Sequence, residues 1–285
     1  MATPDLPLTL APPSSLGPLL DRLSDQAEAA ASAQADLLPE GTDGMPEVER
    51  AAWRRVLMGF AKSEGFEEWV MAPTAEGLAS CGFGDPAVLR FFRLQGEDEL
   101  RHERLFRTYL ARHFGEVVSD TGVGHRIVYD GFLKSVVTRS ARKPLRLLLP
   151  LLVFEKTGTL YLRRLLASAG ADKPRLNALV GAIFRDEARH VAGVGATCRA
   201  LVAVDPPGRL ERAVLRGVCR LVVMDMDRKA WWKPGLEAHV RALGVDPEAM
   251  NADNERIYRE VCRVIDGAGV EADDAGYAAP PVSAS

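Results

Sequence analysis

Asp98-Glu99-Leu100-Arg101-His102 and Asp186-Glu187-Ala188-Arg189-His190 are two copies of one pentapeptide, and their reading decides the fold. A Glu and a His three residues apart stand on the same side of a helix. One turn therefore offers a carboxylate oxygen and an imidazole nitrogen to a single ion, and two such turns can serve two ions. The copies lie 88 residues apart. The same offset relates Leu78-Ala79-Ser80-Cys81-Gly82 to Leu166-Ala167-Ser168-Ala169-Gly170, Pro86 to Pro174, and Phe66-Glu67 to Phe154-Glu155. The chain reads as two copies of a helical hairpin, each with a Glu on its first helix and Glu-x-x-His on its second.

One Glu from each of two helices plus Glu-x-x-His from each of two others is the donor set with which a four-helix bundle holds two metals in its core. On these residues the chain resembles the ferritin-like di-iron carboxylate superfamily. The twin Asp-Glu-x-Arg-His resembles more narrowly its dioxygen-activating members: soluble methane and toluene monooxygenases, acyl carrier protein desaturases and the p-aminobenzoate N-oxygenase group. The similarity covers residues 46–204. It implies an all-α fold, a ferritin-like four-helix bundle, with additional N- and C-terminal helices. It also implies a cofactor of two iron ions (Fe–Fe, or Fe–Mn), with dioxygen, a small organic substrate and an external electron donor as partners. The implied activity is that of a non-haem di-iron monooxygenase or oxidase: hydroxylation, N-oxygenation or desaturation. The rival reading is a ferroxidase or iron-storage protein with the same ligands. Two departures narrow the field. Ile183 stands where the N-oxygenases carry an extra histidine, and Phe106 stands where a ribonucleotide reductase small subunit would carry its radical tyrosine.

The metal ligands expected are Glu67, Glu99, His102, Glu155, Glu187 and His190. Glu155 follows the apolar run Leu147 to Phe154, where a carboxylate without a cation would carry a heavy desolvation cost. On the first helix, Glu64, Glu67 and Glu68 stand near the right level. Glu67 holds the 88-residue offset to Glu155, and each is 32 residues before its Glu-x-x-His (67 to 99, 155 to 187). Glu64 lies nearer the centre of the apolar stripe Trp53, Val56, Leu57 and Phe60, with a separation of 35. Asp98 and Asp186 are placed to accept from the outward ring nitrogen of a ligating histidine. In similar proteins each reaches the histidine of the other repeat, and Arg101 and Arg189 would balance them. The resemblance gives Thr159, one turn after Glu155, a place facing the oxygen-binding side. Gly158 beside it would leave room for substrate.

Composition bounds the rest. A net charge of −3, from 36 basic and 39 acidic residues, gives no reason to expect nucleic acid or an anionic membrane as a partner. Cys81, Cys198, Cys219 and Cys262 form no Cys-x-x-Cys pair and read as thiols in a reducing cytosol. Residues 1–20 lack a basic n-region and contain five prolines, which argues against a secretory signal. The expected location is cytoplasmic, as monomer or homodimer.

The expected organisation is a Pro-rich arm and N-terminal helix (1–45), the bundle with a connecting segment (46–204), a C-terminal helical layer (205–267) and a disordered tail (268–285). Helices are expected near 16–37, from Pro46, from Pro86 to about His113, from about Lys143 to Ser168, and from Pro174 to Val204. A short one is expected around Tyr129 to Ser140, and C-terminal helices near 208–230, 234–243 and 247–267. Asp85 is a natural N-cap with Pro86 at the first helical position, and Gly115 a natural stop. Pro150 should bend its helix by removing a backbone hydrogen bond.

Overall fold

The computed structural model describes residues 14–34, 44–115, 143–169, 174–226 and 236–268. Most of the expected arm, the helix around Tyr129 to Ser140 and the tail beyond residue 268 lie outside the described residues. Among the described residues the regular structure is entirely helical: α1 (Leu16–Gln34), α2 (Glu47–Ser80), α3 (Pro86–Phe114), α4 (Leu145–Ala169), α5 (Pro174–Val204), α6 (Arg209–Met226), α7 (Leu236–Ala242) and α8 (Pro247–Ile265).

Local chemistry sets these boundaries. The Asp85 carboxylate accepts from the Ala87 amide at 2.8 Å with Pro86 at the first position of α3, and Gly115 closes α3 in the left-handed conformation at φ 65°. Asp246 and Pro247 start α8 in the same way. The turn from α2 into α3 is a Schellman motif: Phe83 N–H donates to the Leu78 carbonyl at 2.8 Å and Gly82 N–H to that of Ala79 at 3.3 Å. Gly82 sits at φ 90°, and Phe83 is buried beneath the turn. Pro150 lies inside α4, and the helix continues across it.

Helices α2 and α3 form one antiparallel hairpin and α4 and α5 the other; α2 also packs on α4, and α3 on α5. Helix α1 lies against α3 and α5, α6 and α8 cover α4, and α7 packs on α2. The apolar core falls into two clusters. One takes Val70 to Leu78 of α2, Ala87 to Phe92 of α3, Leu147 to Val153 of α4 and Val191 to Val202 of α5, with α1, α6 and α8. The other takes Ala52 to Ala61, Phe106 to Leu110, Tyr161 to Leu165 and Leu179 to Phe184 of the same four helices, with Val240 to Met250. Between them lies a level at which Glu64, Asp98, Glu99, His102, Glu155, Asp186, Glu187 and His190 are all buried.

This order fixes the topology. Helices α3 and α4 both run from the first cluster to the second, so the chain between Phe114 and Leu145 joins opposite ends of the bundle. That is the long crossover of a ferritin-like bundle, and it explains why the hairpins are joined by about 30 residues when a tight turn suffices within each.

Gly193 on α5 leaves room for the Phe91 ring of α3. A Cβ there would stand 2.1 Å from the tip of the Phe91 ring, itself edge-on to Phe92 with centroids 5.2 Å apart. Gly193→Ala is expected to lower stability by about 1–3 kcal/mol through overpacking. A smaller side chain at Phe91 should recover part of the loss, so thermal unfolding of the two single variants and the double variant should be non-additive.

Candidate metal centre

Four helices bring their carboxylates and histidines together in two groups. Glu64, Glu99, His102 and Glu187 form one; Glu99, Glu155, Glu187 and His190 form the other. Within each group the candidate ligand atoms lie within 4.8 Å of one another. Glu99 and Glu187 belong to both, so each pentapeptide supplies one shared carboxylate and one histidine of its own. The two imidazoles face each other across the layer with ring centroids 6.1 Å apart.

The histidines turn Nδ1 inward. His102 Nδ1 lies 3.2 Å from Glu187 Oε1 and 3.6 Å from Glu64 Oε2 and Glu99 Oε2. His190 Nδ1 lies 2.9 Å from Glu99 Oε1 and 3.7 Å from Glu155 Oε2. These atoms are close but out of line for hydrogen bonds. Both His Nδ1 atoms, both oxygens of Glu99, Glu155 Oε2 and Glu187 Oε1 are buried without a hydrogen-bond partner. A buried carboxylate or imidazole lone pair left unmatched is costly, and here the unmatched atoms all converge on the two groups. The donor set, four carboxylates and two imidazoles, suits first-row divalent ions. The residues present fit two such ions.

Outward, each histidine is held by the other repeat. His102 Nε2 lies 2.9 Å from Asp186 Oδ2 and His190 Nε2 3.2 Å from Asp98 Oδ2. Arg101 donates to Asp98 at 2.7 Å and Asp186 at 3.0 Å; Arg189 donates to Asp186 at 2.5 Å and Asp98 at 3.3 Å. Two aspartates and two arginines thus make a closed quartet, as the sequence reading expects. With an aspartate accepting at Nε2, that nitrogen keeps its proton and Nδ1 is left as the donor to an ion.

Crowding like charges in a buried space displaces their ionisation. Burial, with Glu187 and Glu99 nearby, pushes Glu64 and Glu155 well above the usual carboxylate range. Glu99 is driven the other way: burial opposes its charge, but His190 and His102 outweigh it. Burial likewise opposes the imidazolium of His102 and His190, yet the surrounding carboxylates raise both well above an ordinary histidine. At Asp98 burial is outweighed by His190 and Arg101, and its carboxyl is lowered.

Among the described residues the first-helix carboxylate in the cluster is Glu64; the 88-residue offset gives Glu67. Glu67 follows three residues later in α2, and its side chain lies outside the described residues. Glu64 stands 35 residues before Glu99, and Glu155 stands 32 before Glu187. Glu64 continues the buried stripe of Trp53, Leu57 and Phe60, which is the signal that finds it. Thr159 is buried, and its hydroxyl donates back to the Glu155 carbonyl at 2.7 Å. Its proton is thus committed to the helix. At Gly158, half-buried and one turn after Glu155, a Cβ would meet nothing within 4 Å.

One residue escapes the sequence reading. Gln95, buried on α3 one turn before Glu99, donates its amide to Glu155 Oε1, and its own Oε1 has no partner. A lone glutamine has no motif, but its repeat counterpart at the 88-residue offset is the apolar Ile183, so the two halves differ at this position.

No family model matches the chain, and no curated protein matches its sequence. Solved structures do. An R2-like ligand-binding oxidase with an anaerobically reconstituted Mn/Fe cofactor superposes with a TM-score of 0.65 at 15% identity, covering 86% of this chain and 93% of that one. The structure of an R2-like ligand-binding oxidase after photoconversion gives a TM-score of 0.65 at 14% identity, covering 86% and 92%. A variant with an aerobically reconstituted Fe/Fe cofactor gives 0.64 at 16% identity, covering 86% and 92%. The likeness spans nearly the whole length of both chains, and it shows that this chain has the ferritin-like helical fold of the R2-like ligand-binding oxidases.

Proposed function

We propose that the protein is a dioxygen-activating di-metal oxidoreductase acting on a small, largely apolar organic substrate. The observation that carries the reading is the pair of buried groups sharing Glu99 and Glu187, with unmatched donor atoms converging on both. Glu64 and His102 would help to hold one ion and Glu155 and His190 the other, with Glu99 and Glu187, common to both groups, available to both. Iron at both positions, or iron with manganese, suits these donors, and the structural neighbours carry Mn/Fe and Fe/Fe cofactors. When bound, such a pair supplies the redox chemistry that activates oxygen.

The chain's own residues prepare the site. Asp98 and Asp186 keep the proton on each histidine Nε2, so that Nδ1 is the nitrogen that gives up a proton to receive an ion. Arg101 and Arg189 balance those aspartates. Gln95 occupies Glu155 Oε1 and leaves Oε2 for the ion. The apolar clusters above and below keep water from the layer, and the space at Gly158 would admit the substrate, with the acceptor lone pairs of Thr159 one residue away.

The purified protein should bind two ferrous ions per chain under anaerobic conditions. Glu155→Ala and His190→Ala should lose most of the metal, and Glu64→Ala should lose at least one ion while Glu67→Ala keeps both. Elemental analysis with anaerobic titration decides this; full occupancy in Glu64→Ala would return the role to Glu67.

Metal binding should also release protons. Glu64, Glu155, His102 and His190 hold protons above their ordinary ranges in the metal-free layer and must give them up to act as ligands. Apparent affinity should therefore rise with pH through neutrality and fall as pH drops. The expected slope is about two or more protons per pair of ions, read from titrations in buffers of differing ionisation enthalpy. A flat profile would show the ligands already deprotonated.

Turnover tests the activity itself. The reduced protein mixed with oxygen should convert an organic substrate from a panel of fatty acyl, aryl-amine and amino-acid compounds, with oxygen uptake following product. Gly158→Leu should suppress product by about tenfold or more while leaving two ions bound. Sustained iron oxidation into a mineral with no organic product would establish a ferroxidase instead.

A further inference from the structure

The two halves of the metal layer are not furnished alike. Gln95 of α3, one turn before Glu99 and 1% exposed, donates its side-chain amide to Glu155 Oε1. The other oxygen of that carboxylate, Oε2, lies 3.7 Å from His190 Nδ1 and is buried without a hydrogen-bond partner. One oxygen of Glu155 is thus engaged by α3, while the other remains with the group formed by Glu99, Glu187 and His190. The offset of 88 relates α3 to α5 and puts Ile183 where a second glutamine would stand. Ile183 is fully buried among the apolar side chains of the second cluster and has no N–H to give. From that position Glu64 receives no donor.

Stability alone does not call for a glutamine at 95. Its own Oε1 is buried without a hydrogen-bond partner, a cost that an isoleucine does not incur. The backbone that carries it is closely packed: at Gly96, the next residue, a Cβ would stand 3.3 Å from Cβ of Met71 on α2. The amide is therefore a permanent donor on a firm support, since it neither gains nor loses a proton as a carboxylate or imidazole does.

We propose that Gln95 is a positioning residue that makes the two ion positions unequal. By holding Glu155 Oε1 it orients Oε2, and the position served by Glu155 and His190 takes up its ion first and more tightly than that served by Glu64 and His102. The inference rests on the two-metal reading given under Proposed function. A ligand oriented before the ion arrives loses less side-chain freedom on binding, and removing such an outer partner costs about 10–100-fold in metal affinity.

Cobalt(II) is the probe, because its visible absorption reports its ligands and its binding needs no oxygen chemistry. Anaerobic titration of the full-length protein should show two ions taken up in two steps, at least about tenfold apart. Glu64→Ala should keep the first step. Adding Gln95→Met, which has nearly the same length and no N–H, should weaken that step by about 10–100-fold and shift its cobalt spectrum. In His190→Ala, where residual binding belongs to the other position, the same addition should change affinity by less than about threefold. Gln95→Leu should repeat both results, and helical circular dichroism equal to that of the unsubstituted protein would show the fold intact. Two indistinguishable steps in the unsubstituted protein, a first step that Gln95→Met and Gln95→Leu leave unchanged, or a loss spread equally over both positions would overturn the proposal while the two-ion site stands. A protein that takes up no cobalt, or one ion only, would overturn the two-metal reading and this inference with it.

Discussion

The structure depends on a layer of buried charge held between two apolar clusters. Eight ionisable side chains sit at one level of the bundle, all nearly inaccessible to water. Removing one ionised group from water costs several kcal/mol unless a partner compensates it. The outer half of the layer is compensated within the chain, since two arginines answer two aspartates and each aspartate takes a histidine. The inner half is not. Four glutamates and two imidazole nitrogens face one another with unmatched atoms, an arrangement that two divalent cations would neutralise.

That constraint explains the placement of the surrounding parts. The two core clusters are each continuous across α2, α3, α4 and α5, so the bundle is held both above and below the layer and the ligands need contribute no packing of their own. The Phe91 ring of α3 seats against Gly193 of α5, so the two pentapeptide-bearing helices touch there. Helices α6 and α8 cover α4, which bears Glu155, and join the cluster at the end from which α4 starts. No described helix is long and apolar enough to cross a membrane, in accord with the interrupted apolar run of α4.

Much of this was legible in the residues. The twin pentapeptides, the offset of 88 and the caps at Asp85, Pro86 and Gly115 define the hairpins and the four helices, because each is a local signal with one physical meaning. The exchange of aspartates between repeats followed from the resemblance. On the first helix the sequence leaves two readings, since the offset points to Glu67 while the apolar stripe of α2 carries Glu64 inward, and only the second is among the described side chains. Gln95 was beyond reach because a single polar residue reveals its role only through what another helix places beside it.

The crossed pairing of aspartate and histidine has a consequence for how such a chain could arise. Neither hairpin contains a whole ion site, for each group borrows a glutamate from the other half, and each histidine is steadied by a carboxylate from the other half. Two copies of a single hairpin, meeting about a two-fold axis, would already hold the full inventory of donors. Fusion of the pair into one polypeptide then frees the halves to diverge, and the glutamine at 95 opposite the isoleucine at 183 marks a position where they have done so: a symmetric cradle has become one with two distinguishable ends.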